Sequence, residues 1–201
     1  MAERHELELY MTEPHVSVLG PGDRFVIWVQ GCNRNCPGCI AESSHAAGDG
    51  FRMTPAALAL EILLSGAEGI TISGGEPFLQ AEALADTVVR VRRKKDLGVI
   101  VYTGYLYEEL SSVPGADRLL AVTDLLIDGP YVRELDDGLS LRGSSNQQIL
   151  PLTGRYLDAL GLYGTEQRKA QHFLRGQELH IAGLPDGDYG HTASVPSRPN
   201  Y

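Results

Sequence analysis

Cysteine is scarce in this chain: three residues in 201, and all three fall between Cys32 and Cys39. A secretory signal is missing too, because Met1-Ala2-Glu3-Arg4-His5-Glu6 is polar and acidic with no apolar core behind it. Together these point to a reducing, cytoplasmic setting rather than to a disulfide-stapled secreted protein. No apolar run is long enough to cross a bilayer, so no membrane span is expected. Basic residues are outnumbered, 17 against 26, for a formal charge of −9. A broad electrostatic affinity for nucleic acid is therefore not expected. No internal repeat is visible. What remains is ordinary globular composition, 43% apolar and 21% charged, in a chain long enough for one domain with a buried core.

The few cysteines are not scattered. They read Cys32-x₃-Cys36-x₂-Cys39 on a Gly-, Asn- and Pro-rich stretch directly after the apolar run Phe25-Val26-Ile27-Trp28-Val29. Clustered thiolates are soft ligands that converge on one iron–sulfur cluster. A cubane normally takes four cysteines, so three leave one iron without a protein thiolate. An open position marks a catalytic metal, a rule drawn from zinc and extended here to iron. Two other readings stand beside it: a disulfide plus a spare thiol, and a zinc site completed by a histidine such as His45.

Along the chain, strand-like and helix-like segments alternate. Residues 4–20 read as a lead-in loop or edge strand. Gly20-Pro21-Gly22-Asp23 is turn chemistry feeding a buried strand at 25–29. Thr54 and Pro55 start a helix that runs through Leu64 and stops at Ser65-Gly66. A strand at 69–72 leads into Ser73-Gly74-Gly75-Glu76-Pro77. Leu79, Ala83, Leu84, Thr87, Val88 and Val91 then recur at helical spacing. That helix ends in a basic run, Arg90 and 92–95, read as a solvated helix terminus rather than a docking patch. A strand at 97–102, a short helix at 105–110 and a strand at 123–127 follow. The alternation calls for a parallel sheet covered by helices. Residues 171–184 read as a β-hairpin, with His172 and His180 as ordinary surface residues, and the end from Asp186 as poorly ordered.

In parallel sheets ligands gather at the carboxyl ends of the strands, so the cysteine loop and the Gly74-Gly75 loop should open on one side. Two glycines let main-chain groups approach a ligand closely, Glu76 offers an acceptor for an ammonium, and Pro77 stiffens the exit.

Cys32-x₃-Cys36-x₂-Cys39 after the first strand of the parallel series and Gly74-Gly75-Glu76-Pro77 after the next resemble the radical S-adenosylmethionine superfamily. The resemblance implies an incomplete parallel β/α barrel, one [4Fe–4S] cluster held by Cys32, Cys36 and Cys39, and S-adenosylmethionine on the open iron. It implies that Gly74, Gly75, Glu76 and Pro77 form the loop that meets the cofactor's amino group. A narrower resemblance runs over residues 20–147. Gly20-Pro21-Gly22-Asp23-Arg24-Phe25, Cys36-Pro37-Gly38-Cys39, Tyr102-Thr103-Gly104-Tyr105, Asp128-Gly129-Pro130-Tyr131 and Leu141-Arg142-Gly143-Ser144-Ser145-Asn146-Gln147 are similar to the activating proteins of anaerobic ribonucleoside-triphosphate reductase. Those relatives install a glycyl radical on a large partner enzyme and take electrons from a flavodoxin or ferredoxin. On this basis Asp128 is a candidate catalytic carboxylate, and Tyr102, Arg142 and Asn146 are candidate cofactor contacts. Turn and capping chemistry is the competing reading of Asp128, Arg142, Asn146 and Gln147.

The expected organisation is a radical-generating core over residues 1–150 and an extension over 151–201 carrying the hairpin. The absence of a fourth cysteine argues against auxiliary clusters. It leaves open a second function, a radical enzyme acting directly on a small molecule or peptide.

Overall fold

Apolar runs without alternation, Phe25-Val26-Ile27 and Val99-Ile100-Val101, form strands buried on both faces, as parallel strands covered on two sides must be. The computed structural model describes residues 6–183. Four parallel neighbours, β2 (Arg24–Val29), β4 (Gly69–Gly74), β5 (Gly98–Tyr102) and β6 (Leu125–Asp128), make the centre of a seven-stranded sheet. β1 (Leu7–Val16) and β3 (Phe51–Met53) extend it antiparallel on one side, and β7 (Gln148–Pro151) does so on the other. The order is β3-β1-β2-β4-β5-β6-β7, so the fold is mixed α/β with a large sheet whose core is parallel.

Two edge features differ from expectation. The lead-in segment is a ten-residue strand inside the sheet, because β3 pairs along its outer side. Its buried Leu7, Leu9 and Met11 alternate with half-exposed neighbours, the period of a strand. β7 closes the far edge and ends at Pro151, which an edge position tolerates.

Helices cover one face. In α1 (Pro55–Ser65) the Thr54 hydroxyl accepts from the Ala57 N–H at 3.2 Å, and left-handed Gly66 ends the helix. α2 (Ala81–Arg92) buries Leu84, Val88 and Val91, while Leu79 sits in the turn before it and is exposed. A short α3 (Ala116–Leu120), not anticipated, completes the layer. The basic run is largely used in holding the fold. Arg90 pairs with Asp86, Arg92 with the buried Asp124 at 2.5 Å, and Lys95 donates to the Gly66 and Ala67 carbonyls. The helix expected at 105–110 is a 3₁₀ segment over Tyr107–Ser112.

The opposite face is covered by the chain beyond β7. A 3₁₀ turn (Gly154–Ala159) and the residues after it set Tyr156, Leu160 and Tyr163 against Ile100, Tyr102, Leu125 and Ile127. A hairpin of β8 (Gln171–Arg175) and β9 (Glu178–Ala182) sets Phe173 and Ala182 against Val16, Val26 and Trp28. Position 184 of the expected hairpin and the segment from Asp186 lie outside the described residues.

Arg24 anchors this second layer. It is 1% exposed, and its guanidinium donates to the Thr71 hydroxyl, the Pro21, Ile70 and Gly98 carbonyls, and the Tyr156 hydroxyl at 3.0 Å. Removing it strands several buried acceptors at once. Arg24→Ala should cost about 3 kcal/mol and Tyr156→Phe about 1 kcal/mol in urea unfolding. A loss below 1 kcal/mol for Arg24→Ala would contradict the anchoring role.

Candidate metal centre and its strand-end loops

The cysteine loop leaves β2 at Val29 and is held at both ends by main-chain bonds. Gly31 N–H donates to Ser44 O at 2.8 Å and Cys32 N–H to His45 O at 3.0 Å. The Cys39 N–H closes a tight turn onto Cys36 O at 3.1 Å, with Gly38 in the left-handed region at φ 75°. All three cysteines are free and half-buried. The Arg34 N–H points at the Cys32 Sγ, 3.4 Å away. Burial pushes the Cys39 thiol up to about 11, with the other two cysteines adding to the rise, so ligation there displaces a proton. Beside the loop lies a groove of about 580 Å³ lined by Pro37, Gly38, Glu42 and residues 131–134. In that groove the Arg133 guanidinium lies directly on Gly38.

The Gly-Gly loop at the end of β4 packs onto the start of the cysteine loop. Gly75 N–H donates to Val29 O and Glu76 N–H to Gly31 O, both at 2.8 Å. A Cβ at Gly74 would stand 2.6 Å from the Val29 nitrogen, and one at Gly75 would collide with the Gly31 carbonyl. Close approach of two backbones, rather than turn geometry alone, is why glycine occupies both positions. Pro77 is buried and opens a one-turn helix.

Glu76 does something the sequence does not suggest. Its side chain is fully buried, and its carboxylate accepts from three protein donors: Phe78 N–H at 3.0 Å, the Thr103 hydroxyl at 2.8 Å and Gly104 N–H at 2.8 Å. Burial raises its pKa while those donors pull the other way. The carboxylate thus lies beneath the loop surface, where it joins the end of β4 to the end of β5.

The β5 loop, Thr103-Gly104-Tyr105, closes the circuit. Asn33 Nδ2 donates to the Tyr105 hydroxyl at 2.6 Å, and the Arg34 guanidinium lies 4.7 Å over the Tyr105 ring while pairing with Glu109 at 3.5 Å. Three strand-end loops therefore brace one another. Asn33, Arg34, Thr103, Gly104 and Tyr105 were not singled out as site residues from sequence. Their position after the carboxyl end of a parallel strand, or between the cysteines, was the available signal.

The remaining candidates sit elsewhere. Asp128, at the end of β6, is fully buried and accepts the Tyr107 N–H at 2.7 Å and the Gln148 N–H at 3.2 Å. Each oxygen accepts from a main-chain N–H, and these bonds tie the end of β6 to its neighbours. Arg142 makes a two-pronged pair with Asp137, at 3.1 and 2.5 Å. Asn146 donates to Pro130 O at 2.8 Å, and Gln147 bonds Gly129 O, Gly143 N–H and Ser144 N–H. These bonds hold the turns that follow β6. Tyr102 projects from the end of β5 into the cluster shared with Tyr163, with its hydroxyl buried.

The family described as a 4Fe-4S single cluster domain matches residues 18–150. The anaerobic ribonucleoside-triphosphate reductase-activating protein of Vibrio cholerae is 35% identical over 141 residues, spanning 66% of this chain and 90% of that protein. The chain belongs to this activating-protein family. The corresponding protein of Enterobacteria phage T4 is 33% identical over 138 residues, 66% of this chain and 86% of its own length. A pyruvate formate-lyase-activating enzyme of Streptococcus mutans is 33% identical over 162 residues, 75% of this chain and 60% of that enzyme. The family match stops at residue 150, short of the segment that covers the second face of the sheet.

The donor set fits the family's cluster. Three free thiols share one loop and act on one another electrostatically. Among the described residues no three His, Cys, Asp or Glu side chains converge on a point that one ion could fill. A cubane needs a wider set, because each thiolate binds its own iron.

The bracing can be tested apart from any reaction. Glu76→Gln turns an NH₂ toward one of three donors and should cost about 1–3 kcal/mol in urea unfolding. Gly75→Ala should push the two loops apart and lower the iron bound after anaerobic reconstitution to well under half of the wild-type amount. Full iron loading of Gly75→Ala would show that the close approach is dispensable.

Proposed function

We propose that this chain is an activase that generates a glycyl radical on a large partner enzyme. The observation that carries the proposal is the meeting of three loops, from β2, β4 and β5, at one carboxyl edge of the parallel strands, with all three cysteines on the first. Bound there, one [4Fe–4S] cluster and S-adenosylmethionine would supply, with one electron from an external donor, reductive cleavage to methionine and a 5′-deoxyadenosyl radical able to take a hydrogen atom from the partner's glycine.

The chain's own part is to bind and place. Cys32, Cys36 and Cys39 would hold the cluster by three thiolates, leaving one iron for the cofactor. Main-chain groups of Gly74 and Gly75 can approach that amino group because no side chain intervenes. Glu76, with Pro77 locking its exit, holds the loop in place from below. Asp128, Arg142 and Asn146 shape the mouth by fixing the β6 loop, and Tyr102 lines its inner wall. Residues 1–150 form the radical-generating core, an incomplete parallel barrel in this reading, and residues 151–201 are an addition to it. The electron comes from a flavodoxin or ferredoxin. No helix among the described residues is long and apolar enough to cross a membrane, in keeping with a cytoplasmic site of action.

The anaerobically reconstituted and reduced protein should release 5′-deoxyadenosine, and Cys39→Ala should abolish release. Mixed with the anaerobic reductase from the same source, it should produce a glycyl-radical signal in electron paramagnetic resonance. Undiminished release by Cys39→Ala would sink the cluster assignment. Active cleavage with no signal on the reductase would move the reaction to a small molecule or peptide.

A further inference from the structure

The charge around an iron–sulfur cluster is one of the levers that set its reduction potential. Three thiolates outweigh the positive charge of an oxidised cubane core, and the donor's electron adds one more negative charge. The cysteine loop resists that build-up. Burial raises the Cys39 thiol most, and the charges of Cys36, Cys32 and Glu42 add to the rise. A cation held against the loop offsets such a field, and Arg133 is placed to be that cation.

A Cβ on Gly38 would stand 2.5 Å from the Arg133 Nε, so the guanidinium has its seat because glycine carries no side chain there. Gly38 is next to Cys39 and two residues from Cys36, and successive Cα atoms are about 3.8 Å apart. The guanidinium is therefore on the order of 10 Å from whatever those two thiols bind. Its charge is also uncommitted. Arg142 pairs with Asp137 and Arg168 with Asp136, whereas among the described residues no carboxylate lies within ion-pair distance of Arg133, although Glu42 and Glu134 line the same groove. Arg34, the other guanidinium at the loop, is already paired with Glu109 and stacked on Tyr105. Arg133 stands on a one-turn 3₁₀ helix, Arg133–Leu135, that is fixed from several sides. Val132 N–H donates to the Ser144 hydroxyl at 3.1 Å, Ser145 N–H to Leu135 O at 2.8 Å, and Arg168 makes two bonds to Asp136, at 2.7 and 2.9 Å. Arg168 lies beyond the family match that ends at residue 150, so the extension helps to hold this turn.

We propose that Arg133 is the electrostatic partner of the cluster: its fixed, unpaired charge stabilises the reduced form and so raises the reduction potential. The inference rests on the cluster reading above and needs neither S-adenosylmethionine nor the partner enzyme. In the step concerned an external reductant loses one electron and the cluster gains it, with no ligand bond broken and no proton moved. A guanidinium suits the task because it stays charged at any working pH. Arg133 is exposed to solvent, so its influence is open to screening and should fade as salt rises.

The test is a redox titration of the cluster-loaded protein without S-adenosylmethionine, read by the electron paramagnetic resonance of the reduced cluster. Arg133→Gln should lower the ratio of reduced to oxidised cluster at a fixed poise at least threefold, a fall of about 28 mV at 59 mV per tenfold. Arg133→Lys should recover most of that loss. Arg93→Gln, the same charge change at the exposed end of α2, should leave the ratio as it is. The gap between wild type and Arg133→Gln should narrow in concentrated salt. A wild-type potential in Arg133→Gln overturns the proposal. So does an equal shift in Arg133→Lys, which would make the contact one of shape and not of charge. If Arg133→Gln takes up no iron, Arg133→Lys decides: iron in the lysine variant supports the charge, and none in either assigns the contact to packing on Gly38 and overturns the proposal. A wild type that binds no iron removes the cluster reading itself, so the two failures are distinguishable.

Discussion

The carboxylate of Glu76 is the constraint on which the rest of the site depends. It is fully buried, and it accepts from Phe78 in its own loop and from Thr103 and Gly104 in the next. A buried carboxylate is tolerable only when its oxygens are paired, and pairing these oxygens means bringing the ends of β4 and β5 together. The main chain on either side of Glu76 then meets the cysteine loop through Val29 and Gly31. The cysteine loop in turn grips the β5 loop through Asn33, Arg34 and Tyr105. A flexible stretch of glycine, asparagine and proline becomes a placed set of thiols because its neighbours leave it little room to move. Preorganisation of this kind is what a site needs if the ligand's binding energy is not to go into ordering loops.

The second face of the sheet adds a further layer of meaning. Parallel sheets are stable when both faces are covered, and helices cover only one here. The chain beyond β7 covers the other, anchored by Arg24 beneath Tyr156 and closed by the hairpin over Val26 and Trp28. Arg24 lies in the Gly-Pro-Gly-Asp-Arg-Phe stretch near the start of the core, so the covering segment is fastened to the core itself. It is also the part of the molecule that extends past the family match.

Much of this was legible in the sequence, for reasons that can be named. The central strands announce themselves as unbroken apolar runs, and Thr54, Pro55 and Gly66 mark both ends of α1. The cysteine spacing and the double glycine pointed to the same carboxyl edge, because that edge is where parallel strands present their loops. The misreadings have a common cause, which is that partners distant in sequence decide them. Residues 7–16 look like an edge strand until Phe51–Met53 pairs outside them. The amides of Tyr107, Gln148 and Gly104 that bond Asp128 and Glu76 are likewise distant in sequence, and no local pattern announces them. A carboxylate in a strand-end loop reads the same in sequence whether it faces a ligand or a buried N–H.

The central claim is that the iron left without a thiolate is reserved for the amino and carboxylate groups of S-adenosylmethionine, beside Gly74 and Gly75. Electron–nuclear double resonance on the reduced, cluster-loaded protein tests it directly, using S-adenosylmethionine labelled with ¹⁵N at the amino group. The account predicts a ¹⁵N coupling of the size expected for nitrogen bonded to cluster iron. A cluster signal that forms normally yet carries no such coupling would contradict it.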